Sequence, residues 1–249
     1  MLTAERRQEI LSRLRRDGKV VASQLVAELG VSEDTVRRDL RELAAGGLVQ
    51  RVHGGALPPP PAAASFTQRL EVAAEAKAEL AEAALPLLEG AGVLLLDGGT
   101  TALELARRLP ADRDCTVLTN APPVAQALAA HPRAEVVLIG GRLLKEAQLT
   151  VGSAAVDTLR RVRADACVLG ICSLHPKLGV TATDHDEAYV KRAMVAASAE
   201  VIALATADKL RTVSPWIVAP PADLTHLVTD ADEELTAGYA AAGVSVVRA

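Results

Sequence analysis

Cysteine is scarce in this chain, and its three copies, Cys115, Cys167 and Cys172, form no C-x-x-C pair. The five histidines are scattered and show no H-x-x-x-H spacing. A disulfide framework and a zinc site are both excluded on that pattern, and the thiols read as reduced core residues because each lies in or beside an apolar run. No apolar run approaches the roughly 18 residues needed to span a bilayer. The N-terminal residues read as a charged helix and not as a secretory leader. The expectation is a soluble, cytoplasmic protein without a metal or other cofactor.

Charge is unevenly spread. Over 249 residues, 27 Lys and Arg face 31 Asp and Glu, a formal net charge of −4. Residues 1–57 hold 10 basic and 8 acidic side chains, whereas the remainder holds 17 and 23. A mildly basic head beside an acidic body suits a chain whose first part approaches a polyanion. Between them, residues 58–65 (PPPPAAAS) read as a Pro/Ala linker, stiffened by its prolines. The expected division is therefore 1–57, a linker at 58–65, and 66–249.

The head has a specific layout. Glu5 to Arg16 reads as a first helix, with Ile10, Leu11 and Leu14 inward and Arg6, Arg13 and Arg16 among its solvated positions. Ala22 to Leu29 forms a short second helix closed by Gly30 in the left-handed conformation. Ser32 then caps a third helix, and Glu33 and Asp34 favour its positive end. Val36, Leu40 and Leu43 form one apolar stripe, which turns Asp34, Arg38 and Arg41 outward. Gly46-Gly47 breaks this helix, and Leu48 to Leu57 alternates as a two-stranded basic wing carrying Arg51 and His53. An amphipathic charged helix is often only a solvated face, and Arg38 could pair with Asp34. The combination of capped helix, glycine break and wing points instead to a winged helix-turn-helix that meets double-stranded DNA.

The run VSEDTVRRDLREL, followed by RVHGGAL, resembles the DNA-binding signature of the DeoR family of bacterial transcriptional regulators. The resemblance implies that the TVRRDL helix is the recognition helix, with Thr35, Arg37, Arg38 and Arg41 as its contact positions and Ser32 as its cap.

In the second part, apolar runs alternate with amphipathic stretches, which indicates an α/β domain with a mostly parallel sheet covered on both faces. Ligands of such sheets sit at the carboxyl ends of the strands. The strand Val93 to Asp97 runs through Gly98, Gly99, Thr100 and Thr101 into a helix, a suitable cradle for a phosphate, although also an ordinary strand-to-helix turn. Thr119-Asn120 and Gly140-Gly141 punctuate two further strand ends. Lys191 and Lys209 offer positive charge, against the plain reading of surface lysines. Residues 173–184 read as a long polar connection, either a lid or a loop.

This half resembles the DeoR-type sensor domain, which is similar in fold to ribose-phosphate isomerases. The family's D-S-G-T-T turn, T-N pair, G-G pair, helix lysine and D-x-S-K segment fall on Asp97 to Thr101, Thr119-Asn120, Gly140-Gly141, Lys191 and Thr206 to Lys209. Two positions depart from the pattern: Gly98 replaces the serine of the turn, and Thr206 and Asp208 replace the aspartate and serine of the last segment. The resemblance implies a regulator, usually a repressor, that binds a palindromic operator as a dimer or tetramer and answers to a phosphorylated sugar or related metabolite. The alternatives are an isomerase-like enzyme with a DNA-binding head and an interaction module with a degenerate pocket. None of Asp97, Asp184, Asp186, Glu187 and Asp208 stands in a recognisable catalytic pair.

Overall fold

The computed structural model describes residues 2–46, 48–52, 54–57 and 65–249. Most of the expected linker, at 58–64, and His53 of the expected wing lie outside the described residues.

The head runs α1 (Thr3–Asp17), β1 (Val20–Val21), α2 (Ala22–Leu29), α3 (Glu33–Ala45), β2 (Gln50–Val52) and β3 (Gly55–Leu57). Ile10, Leu14, Leu25, Val36, Leu40 and Leu43 close one apolar cluster, so each helix buries the stripe its spacing gives it. Gly30 ends α2 at φ +63°. The wing has one more strand than its alternation indicates, because Val20 pairs with Ala56 and the sheet order is β1-β3-β2. Gly55 permits that pairing, since a Cβ there would lie 1.9 Å from the Val20 carbonyl oxygen.

Arg6 corrects the reading of the first helix. It is buried rather than solvated, and its Nε donates to Asp39 Oδ2 at 2.5 Å. Arg7 Nε donates to Asp39 Oδ1 at 3.0 Å. Asp39 is wholly buried inside α3. A buried carboxylate requires a charged partner, and that partner comes from another helix, which the periodicity of α3 alone does not reveal.

The second unit opens with α4 (Phe66–Glu71) and α5 (Ala74–Ala84). It continues through β4 (Val93–Leu96), α6 (Thr100–Arg108), β5 (Cys115–Thr119), α7 (Pro122–Leu128), β6 (Ala134–Leu138), β7 (Arg142–Leu144), β8 (Leu149–Val151) and α8 (Ser153–Arg160). Then follow β9 (Ala164–Gly170), β10 (Ser173–His175), β11 (Gly179–Ala182), α9 (His185–Ala196) and β12 (Ser198–Leu204). The last elements are β13 (Trp216–Ala219), β14 (His226–Thr229), α10 (Glu233–Ala240) and β15 (Ser245–Arg248). Seven strands form one sheet in the order β15-β14-β12-β9-β4-β5-β6, and every pairing in it is parallel. Leu94 to Leu96 on β4 and Cys167 to Leu169 on β9 are fully buried, as the uninterrupted apolar runs require.

This order reverses between β4 and β9. From β4 the chain proceeds outward through β5 and β6, and from β9 it proceeds the other way through β12, β14 and β15. The crevice outside the carboxyl ends of β4 and β9 is thus the topological switch point, where α/β sheets take their ligands. Two hairpins flank it. β7 pairs with β8, and β10 pairs with β11, which also pairs with β13. The connection at 173–184 is therefore mostly a paired hairpin, neither an open loop nor a free lid.

Candidate functional site

Two surfaces carry functional geometry. On the first, Ser32 accepts from the Thr35 amide at 3.2 Å, and the two hydroxyls lie 2.9 Å apart. The cap thus uses the Thr35 hydroxyl as well as its amide. Arg37, Arg38 and Arg41 are exposed on α3, and Arg51 is exposed on β2. Arg37 pairs with Glu33 at 2.7 Å, one turn back along the helix. Among the described residues neither Arg38 nor Arg41 makes an ion pair, so the alternative Arg38–Asp34 pairing does not form, and both side chains are exposed. Arg7 also pairs with Glu42, which fixes α1 against the later turns of α3.

The second surface is a cavity of about 390 Å3 at the β4/β9 switch point. Such a volume suits a small metabolite. Gly98, Gly99, Thr100 and Thr101 form one wall, with Gly99 at φ +110° as the N-cap residue of α6. The first-turn amides of α6 therefore face the cavity without intrahelical partners, the arrangement that receives anions. Gly170, Ile171 and Cys172 form the wall beyond β9. Cys172 is thus a cavity residue, whereas Cys115 and Cys167 are buried in the core.

Gly98 has a steric reason. A Cβ at this position would stand 1.9 Å from Leu149 Cδ2 and 3.1 Å from the Ala121 side chain. Leu149 occupies the space into which a serine side chain would project, so the departure from the family turn is matched by a neighbouring residue.

The two lysines differ sharply in electrostatic role. Lys191 is buried, pairs with Asp97, donates to the Gly170 carbonyl at 2.7 Å and lies 3.4 Å from Glu187. Burial opposes its charge, but Asp97 and Glu187 outweigh burial and hold the ammonium above its ordinary range. Burial pushes the Glu187 carboxyl up in spite of Lys191. Asp97 also accepts from the Gly170 amide at 3.0 Å, so it sits beneath the cavity and ties β4 to β9. Lys191 is consequently a neutralised structural cation. Lys209, half-buried at the cavity wall, makes no ion pair among the described residues. Desolvation pushes its ammonium down to about 8, against the pull of Asp208 and with further repulsion from Lys77 and Arg69.

Arg69 is the cavity residue that motif reasoning missed. It comes from α4, distant in sequence from the strand ends, and its Nε is buried without a hydrogen-bond partner among the described residues. The buried Lys77 donates to the carbonyls of Arg69 and Val72, holding the end of α4 in place. An unsatisfied buried guanidinium nitrogen beside a lysine whose charge is destabilised calls for an anion. The signal in the sequence was limited to an arginine and a lysine eight positions apart, a spacing with no motif of its own.

Thr119, Asn120, Gly140 and Gly141 do not line this cavity. Thr119 accepts from the Ala121 amide at 3.1 Å, and Asn120 Nδ2 donates to the Thr150 carbonyl at 3.2 Å. The Thr150 hydroxyl donates in turn to Ile139 and Asn120 carbonyls. A Cβ on Gly141 would lie 2.6 Å from the Val151 carbonyl oxygen. Asn120 and Gly141 seat the β7–β8 hairpin on the strand ends, and that hairpin delivers Leu149 to the wall.

Comparison with known proteins follows the same division. The DeoR-like helix-turn-helix domain matches residues 6–59, and the DeoR C terminal sensor domain matches residues 72–231. The chain is 35% identical to the HTH-type transcriptional regulator GlpR of Haloferax volcanii, over 99% of this chain and 98% of that one. It is 32% identical to the HTH-type transcriptional repressor GlcR of Bacillus subtilis, over 92% of this chain and 89% of that one. Among solved structures, ribose 5-phosphate isomerase A from Neisseria gonorrhoeae aligns with a TM-score of 0.40 and 16% identity, covering 55% of this chain and 53% of that one. With a winged helix-turn-helix and a sensor domain matched in order along nearly its whole length, the chain belongs to the DeoR family of DNA-binding transcriptional regulators.

Proposed function

We propose that residues 1–57 bind an operator, that residues 66–249 bind a phosphorylated sugar or closely related metabolite, and that the chain is a cytoplasmic repressor released from DNA by that metabolite. The observation that carries the reading is the pairing of free α6 amides with Arg69 and Lys209 around one cavity at the sheet's switch point. In this reading the phosphate sits at Gly99 to Thr101, and Arg69 and Lys209 complete its charge neutralisation. Lys191 contributes through Asp97 and Gly170, by shaping the floor. The same ion pair argues against isomerase chemistry, because Asp97 is engaged by Lys191 and is not available as a base. Two heads are needed to span two half-sites, so the sensor domain is assigned the role of holding a dimer or tetramer together.

A panel of sugar phosphates, each compared with its unphosphorylated sugar, tests this by thermal shift of the full chain. The reading predicts that one phosphorylated compound raises Tm and that its sugar does not. A panel in which no phosphorylated compound shifts Tm would contradict it.

A further inference from the structure

The β10–β11 hairpin starts and ends on the cavity. Ile171 and Cys172 precede it, Thr183 and Asp184 follow it, and all four line the wall. Its far end reaches the head. The His175 ring is fully buried against the cap of α1, where a Cβ added to Gly18 would stand 2.5 Å from His175 Nε2. Lys177 Nζ pairs with Asp17 at 3.0 Å, one residue earlier on α1. The tip is internally fixed, since His175 Nδ1 accepts from the amides of Lys177 and Leu178.

A second connection joins the same tip to the cavity. Leu174 bridges to Leu210, the neighbour of Lys209. The Tyr239 hydroxyl donates to the Leu174 carbonyl at 2.7 Å and accepts from the Arg211 amide at 3.0 Å. The segment bearing Lys209 and the strand bearing His175 are therefore clamped to each other. Any shift of either at the cavity is felt at the contact with Gly18, because packed interiors deform little.

We propose that this hairpin is the coupling element between the two domains: His175 and Lys177 dock it on the C-terminal cap of α1, and occupancy of the cavity changes DNA binding by moving or releasing that docked tip. The inference rests on the effector reading above for its biological meaning, but the contact itself is testable without any ligand. Linkage is reciprocal, so disturbing the α1 cap must disturb the cavity wall.

Hydrogen exchange on the full chain reads this directly, in wild type, Gly18→Ala and Gly30→Ala. The Gly18→Ala methyl collides with the ring, and amides of 171–174 and 181–186 should exchange faster by about tenfold. Gly30→Ala sets a similar left-handed strain, at φ +63°, elsewhere in the head with nothing within 4 Å of the added methyl, so wild-type exchange in those segments should persist there. If Gly18→Ala does not fold, Lys177→Glu, which sets a carboxylate against Asp17, should raise exchange in the same segments. Wild-type exchange there in folded Gly18→Ala, or the same acceleration in Gly30→Ala, would overturn the proposal. Neither result depends on a metabolite, so loss of the coupling and absence of a phosphosugar effector are separately visible.

Discussion

Arg38 and Lys209 are the side chains through which the proposed DNA and effector sites can each be probed singly. Arg38→Ala leaves the apolar stripe of α3 intact and removes a solvent-facing guanidinium. Operator affinity should therefore fall by about 1–3 kcal/mol if the group reads a base edge, with Tm unchanged. Fluorescence anisotropy on a labelled operator measures this, and wild-type affinity would remove Arg38 from the interface. Lys209→Ala should weaken effector binding by about 1–3 kcal/mol. For wild type, Lys209 loses its charge as pH rises through about 8, so anion affinity should fall above that value. In Lys209→Ala that step should vanish, and calorimetry at pH 7 and 9 distinguishes the two. Gly98→Ser, the family's own residue, should lower Tm here because of Leu149, and a concurrent Leu149→Ala should recover part of the loss.

Elements were legible in proportion to how local their causes are. The α3 cap, the Gly30 stop and the parallel strands follow from capping, glycine conformation and unbroken apolar runs, all of which lie within one short stretch. The β7–β8 and β10–β11 hairpins were not legible because their strands are only three or four residues long, and because a polar segment such as 173–184 looks the same as a loop. Arg6 and Arg69 were missed for a related reason: each is defined by a group on another element. The Asp39 cluster gives a test at this scale. Burial works to raise the Asp39 carboxyl, and hydrogen bonds from Arg6 and Arg7 overcome it and hold the pKa below the ordinary 3.8. The cluster stabilises the fold fully above that value, and the contribution is lost as pH falls through the lower, folded pKa. Asp39→Ala leaves Arg6 buried and unpaired and should cost about 3–5 kcal/mol, read by urea unfolding at pH 7. A loss below about 1 kcal/mol would show that the ion pair is not what joins α1 to α3.

For the whole molecule, the docked hairpin makes stability depend on His175. Burial, with Lys177 and Arg211 nearby and Asp17 opposing them, lowers its pKa from 6.5 to about 4. The unfolded chain then binds the proton more readily, so the contribution is complete above pH 6.5 and is lost as pH falls towards 4, by up to about 3 kcal/mol. Unfolding of wild type and His175→Ala compared at pH 7 and 5 should show the smaller drop in the variant.

In the proposed mechanism one anion site in the sensor domain controls one DNA surface in the head. Operator affinity of the full chain, titrated with a panel of sugar phosphates in wild type and Lys209→Ala, tests it most directly. One phosphorylated sugar should weaken operator binding of wild type by about tenfold or more, its unphosphorylated form should not, and Lys209→Ala should bind the operator normally but respond only at higher concentration. Operator binding that no phosphorylated sugar alters, or a response that Lys209→Ala leaves at wild-type concentration, would contradict it.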